Sequence, residues 1–281
     1  MYNLRYHIAS LVGVFLALAL GLILGGLVVQ SGTVDRQQDA LVAGLQQEFT
    51  DLRDANRKLT SENEILAVYA GEMTDDWIAT RLSGRNVAVI ISAGRSDGMR
   101  DSTEAIEEAG GTAVVITLPE DGLDLTDAEL ASIVTSITGD ARASTAAVAE
   151  TLRAEWATPG APRPLTDALA AAGALKLESL PADDAVYGVV NLAAPDAQPD
   201  AAAIAITRAF SDAGAPALGG QTTSRDTGVA RASAAAGVSA IDTLGSPVGR
   251  YSLVALLTGA APGYFGTGDG AAGLIPPPPT P

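Results

Sequence analysis

Between Ile8 and Val29 the chain runs for 22 residues without a formal charge, and no other segment constrains its fold as strongly. As a helix rising about 1.5 Å per residue, this run spans about 33 Å, enough to cross the hydrocarbon core of a bilayer. Residues 1–33 are therefore expected to form a short cytoplasmic stub and one transmembrane helix. The rival is a cleaved secretory signal, for which Ala17-Leu18-Ala19 offers a small-x-small site. Against it, the apolar run continues ten residues past that site, where a signal's apolar region has normally ended. Arg5 and the α-amino group precede the span, whereas Asp35, Arg36 and Asp39 follow it. This bias puts the N-terminus inside and everything after residue 33 outside the cytoplasm. Gly21 and Gly25 sit four apart in the span, a spacing that lets two helix backbones approach closely and that is also ordinary glycine use in a membrane helix.

Beyond the span, from Val34 to about Met73, there is no proline, and glycine occurs only at Gly44 and Gly71. Leu45, Leu52, Leu59 and Leu66 recur at every seventh position, and Met73 extends the series. Such a period makes one seam of a left-handed coiled coil, so 34–83 is expected to be a helical stalk. Leu41, Ala55 and Tyr69 suit the companion positions, whereas Glu48 and Glu62 place carboxylates among them. Asn56 and Asn63 lie beside the seam, where they either fix register or belong to a solvated face. Three partners fit a half-polar seam: a second copy of the chain, a different coiled-coil protein of the envelope, or the chain's own C-terminal domain.

The segment 84–262 reads as an α/β domain with an open, mostly parallel sheet. Val87-Ala88-Val89-Ile90-Ile91 is a short apolar run of the kind buried in a parallel sheet. A helix from about Met99 to Ala109 and a second strand at Ala113 to Leu118 complete a strand–helix–strand unit, closed by Gly110-Gly111. Further helices are expected at 126–138, 141–157, 164–172, 201–213, 227–236 and 248–259, with Thr126 and Glu129 as a capping box. Strands are expected at 185–192, 216–218 and 238–244. The alternation gives helices on both faces of a sheet of four or five strands. The Gly-rich end, 263–281, which includes Pro276 to Pro279, is expected to be an extended, disordered tail.

Composition limits the chemistry. A net charge of -16 argues against nucleic acid, whose binding needs clustered Lys and Arg. There is no cysteine, and His7 is the only histidine, so a nucleophile–base triad beyond the membrane span has no ordinary base. The paired carboxylates Asp75-Asp76, Glu107-Glu108 and Asp183-Asp184 are adjacent in sequence, so each pair diverges and fits a solvated turn or helix end better than general acid/base work. No cofactor, no metal site and no catalytic residue are assigned. One loop follows a strand and precedes a helix where doubly wound folds often bind phosphate, and its Gly94, Arg95, Ser96 and Gly98 are candidate ligand contacts. It lacks both the three-glycine fingerprint and the Gly-Lys-Ser/Thr ending of a P-loop, which fits a structural turn.

The opening Asn3-Leu4-Arg5-Tyr6-His7, the stalk, the segment Ile241 to Arg250 and the late Gly263-Tyr264-Phe265-Gly266 together resemble the actinobacterial copper transport protein B (MctB) family. The resemblance implies a role in copper transport or efflux, an outer-envelope location as for mycobacterial members, and copper as a partner. Relatives in other actinobacteria also look like components of cell-envelope separation. No family metal motif maps onto this chain by position. Copper sites favour Cys, Met and His, and past the span the chain offers only Met73 and Met99. The expectation is a non-enzymatic, membrane-anchored envelope protein that assembles through its stalk. The alternatives are a scaffold or regulator of envelope separation without a copper role and an exported carboxylate-dependent enzyme.

Overall fold

The computed structural model describes residues 4–30, 33–92, 97–119, 122–178, 180, 183–193, 198–225 and 227–279. The chain divides into two compact units, Met1–Leu66 and Ala67–Pro281. The first is helical throughout its described residues: α1 spans Leu4–Gln30 and is followed by α2, Thr33–Ile78, whose last turns belong to the second unit. Within α1, Tyr6–Leu27 has a mean hydropathy of 2.6 and is wholly unburied, which makes it long and apolar enough to cross a membrane. α2 runs for 46 residues because nothing in it breaks a helix, and near-neighbour pairs such as Lys58–Glu62 and Arg57–Asp54 line its polar side.

The second unit is built on a seven-stranded sheet in the order β3-β2-β1-β4-β5-β6-β7. These strands are β1 (Asn86–Ser92), β2 (Thr112–Leu118), β3 (Lys176–Leu177), β4 (Val186–Leu192), β5 (Ala217–Gly220), β6 (Ser239–Ile241) and β7 (Tyr264–Phe265). All neighbours pair in parallel except the edge pair β2–β3. β1 has its apolar side chains on both sides, and its alternation divides the core. Ala88 and Ile90 face a cluster formed with α4 (Ala128–Thr138), α5 (Thr145–Ala157), α6 (Pro164–Ala171) and α7 (Ala201–Asp212). Val87, Val89 and Ile91 face a second cluster with α3 (Met99–Glu108), α9 (Pro247–Leu257) and the end of α2. The short helix α8 (Val229–Ala235) covers β5 and β6. Burial on both faces explains why β1 reads as a continuous apolar run.

Helix ends follow local chemistry. The carboxylate of Asp127 accepts from the backbone N–H groups of Glu129 and Leu130, so Asp127 caps α4, where the sequence had pointed to Thr126. Thr126 instead donates its hydroxyl to Asp124. α6 starts with Pro164 and has no cap from its own N-terminal residue. Glu155 of α5 supplies that function, with its buried carboxylate accepting from Leu165 N at 2.7 Å and Thr166 N at 2.9 Å.

Three expectations need correction. Among the described residues the sheet has seven strands where four or five were expected, because the two-residue strands β3 and β7 are too short to show a period. The segment 263–281 is not an extended tail over its described part: β7 pairs with β6, Tyr264 and Phe265 are buried, and Pro276 is buried too. The boundary expected at 83/84 falls earlier, since the compact α/β unit begins at Ala67 and already contains buried Thr74, Ile78 and Leu82.

Candidate functional site

Two regions carry the residues with functional potential, one in each unit. The first is the apolar stripe of α2. Leu45, Leu52, Leu59 and Leu66 are each more than half exposed, as are Val42 and Phe49. Large apolar side chains left in water cost roughly 1.5–3 kcal/mol each relative to burial, so covering this face would be favourable. Met73 continues the series and is 53% exposed, in the second unit. Gly21 and Gly25 of α1 have open space where a side chain would start, so their backbone can be approached closely.

The second region is the carboxyl edge of the sheet. The chain passes from β2 on one side of β1 to β4 on the other, which makes β1/β4 the topological switch point, the usual binding crevice of such sheets. Ser92, Asn191, Gln221 and Asp242 are all buried there, at or next to successive strand ends. Most of their capacity is used within the fold. Gln221 donates to Thr223 O at 2.8 Å and accepts from Ala230 N, which holds the start of α8. Thr222 donates its hydroxyl to Asp97 at 2.7 Å and ties the turn before α3 to β5. Asn191 Nδ2 is buried and has no hydrogen-bond partner among the described residues. Of the candidate ligand loop, Gly94, Arg95 and Ser96 lie outside the described residues. Gly98 has φ 74°, a conformation that favours glycine, and precedes α3.

Asp242 holds the end of the chain. It accepts from Tyr264 Oη at 2.6 Å, Thr267 N at 2.9 Å and Gly268 N at 2.8 Å. Burial, and then the adjacent Asp242 carboxylate, push the Tyr264 phenol up to about 12. The segment Ile241 to Arg250 and the Gly263 to Gly266 stretch, separate in sequence, thus meet at one carboxylate. The same segment forms a second junction, where Arg250 pairs with Asp75 at 2.8 Å and with Glu108. Trp77 packs against Tyr251 in a tilted arrangement with ring centroids 4.4 Å apart, so the last turns of α2 are clamped to α9. Asp75 and Glu108, members of two of the adjacent acid pairs, therefore converge on one guanidinium. Sequence adjacency hid this, because each contact joins segments far apart in the chain.

Copper finds few donors. Met99 packs against the core cluster on its face of the sheet, Met73 is exposed on α2, and His7 lies in α1. Among the described residues no group of three or more His, Cys, Asp or Glu side chains is placed to hold a metal ion. The donor set does not fit a resident copper site.

A protein-family model described as copper transport outer membrane protein, MctB, matches residues 1–276. No curated protein and no solved structure matches the chain.

Proposed function

Because the chain belongs to the MctB family of copper transport outer membrane proteins, matched over nearly its whole length, we propose that it serves copper transport as a non-enzymatic, membrane-anchored component of the cell envelope that works by assembly through α2. Copper is the cargo of that assembly, and this chain's part is structural. In this reading α1 crosses the cytoplasmic membrane with its N-terminus inside, and the α/β unit lies outside the cytoplasm and presents a binding surface. The observation that carries it is the exposed heptad stripe of α2 in a chain poor in copper donors. One helix encloses no pore, and a sheet covered by helices on both faces presents no lipid-facing wall, so transport needs further subunits.

The test is complementation of a deletion strain, read as cellular copper content. Wild-type chain is expected to restore the parental copper level, whereas Leu52→Asp combined with Leu59→Asp leaves copper raised although the protein reaches the membrane. Full restoration by the double variant would remove assembly through α2 from the account. A deletion strain with parental copper and normal tolerance would remove the copper role, and unseparated cells in that strain would point to envelope separation.

A further inference from the structure

We infer that the occupant of the α2 stripe is a second copy of this chain, paired in parallel and in register as a two-stranded coiled coil. The inference rests on the reading of α2 as the assembly element and names its partner. Since α2 is one uninterrupted helix, its heptad phase is constant from end to end. A coiled-coil seam needs a second series beside the leucines, either four residues before each of them or three before. The first choice gives Leu41, Glu48, Ala55 and Glu62, with two carboxylates in an apolar seam. The second gives Val42, Phe49, Asn56 and Asn63, with two apolar side chains followed by two neutral amides. Burying a carboxylate costs far more than burying an amide that finds a partner, so the second series belongs in the seam, at the a positions, with the leucines at d.

Two features of this phase fit the chain to itself. In a parallel, in-register pair, a residues face a residues, so each asparagine meets its own counterpart and the amides can hydrogen-bond to each other. An antiparallel or shifted pair sets these amides against leucine and leaves them unsatisfied. The phase also moves Glu48 to the flanking g position, and in a parallel pair the residue five further along the other helix, at e, is Arg53. Two-fold symmetry makes that ion pair twice, once on each side of the seam. A different protein must supply a matching amide pair and a matching arginine, whereas this sequence contains both. The ion pairs formed along α2 itself, Arg57–Asp54 and Lys58–Glu62, use flanking and outer positions and leave the seam clear.

The chain has no cysteine, so single replacements in the full-length protein report on pairing directly. Under mild oxidation in membranes, Asn56→Cys and Asn63→Cys are each expected to form disulfide-linked dimers, roughly tenfold faster than Asp54→Cys on the outer face, because bridging needs close, facing Cβ atoms. When Asn56→Cys and Asn63→Cys chains are produced together, like-with-like dimers are expected to exceed mixed ones about tenfold. Dominant mixed dimers would overturn the parallel register, and seam cysteines that bridge no faster than Asp54→Cys would overturn the second copy as partner. If these cysteines stay monomeric while Leu52→Asp with Leu59→Asp still abolishes copper complementation, self-pairing fails and assembly with another protein stands. If dimers form and the Asp variant complements fully, self-pairing stands and the functional reading fails.

Discussion

Replacing Tyr264 by Phe removes one hydroxyl and leaves the ring, so it isolates the contact that fixes the end of the chain to β6. Tyr264 Oη donates to the buried carboxylate of Asp242 at 2.6 Å, a charge-assisted bond. Hydrogen bonds to charged groups contribute ~1.5–3 kcal/mol. Asp242 keeps its donors Thr267 N and Gly268 N in the variant, so the expected loss is ~2 kcal/mol and not the full cost of an orphaned charge. For a domain of this size that lowers Tm by ~4–8 °C. Trp77 and Trp156 both lie in the α/β unit, so the tryptophan fluorescence of the full chain in detergent follows its unfolding. The pH dependence provides a second check. The folded phenol titrates at about 12 against 10.0 when free, so between these values the unfolded state has released a proton that the folded state retains. Wild-type stability conferred by this group is therefore complete below pH 10 and is lost as pH rises towards 12. The phenylalanine variant has no such proton, and the gap between the two proteins narrows over that interval. An unchanged midpoint, with a gap that stays near zero from pH 8 to 12, would show that 263–279 is not held as described.

Two further substitutions probe the scaffold. Glu155→Ala strips the start of α6 of its acceptor and leaves the N–H groups of Leu165 and Thr166 buried and unpaired, an expected loss of ~3 kcal/mol in denaturant unfolding; a change below ~1 kcal/mol would contradict that role. Gly249→Ala places a Cβ 1.9 Å from the backbone oxygen of Thr243, so the turn into α9 must shift, and a destabilisation of at least ~3 kcal/mol or loss of soluble α/β unit is expected, whereas a wild-type melting curve would refute the close approach.

Much of the α/β scaffold was legible in the sequence because its signals are local. The run 87–91 announced β1, and Gly110-Gly111 marked the turn into β2. The apolar span was legible for the same reason, since length and lack of charge are read directly. The misses have a common cause. β7 and the ordered segment behind it are held by Asp242 and by pairing with β6, contacts more than 20 residues apart in sequence that composition cannot report. A Gly- and Pro-rich stretch looks unable to build a core alone, and here it adds only Tyr264 and Phe265 to clusters whose other buried members come from elsewhere in the chain. The same holds for Arg250, whose two carboxylate partners come from α2 and from the end of α3. On α2 the leucine period was plain, but the companion series stays ambiguous by exposure, since Leu41 of one candidate series is as exposed as Val42 and Phe49 of the other along the same continuous helix.

Assembly through α2 is most directly tested by the mass of the detergent-solubilised full chain, measured by native mass spectrometry. The account predicts twice the 28.3 kDa protomer for wild type, and a single protomer for the chain carrying Leu52→Asp and Leu59→Asp. A wild-type protein found only at 28.3 kDa, or a double variant that stays paired, would contradict it.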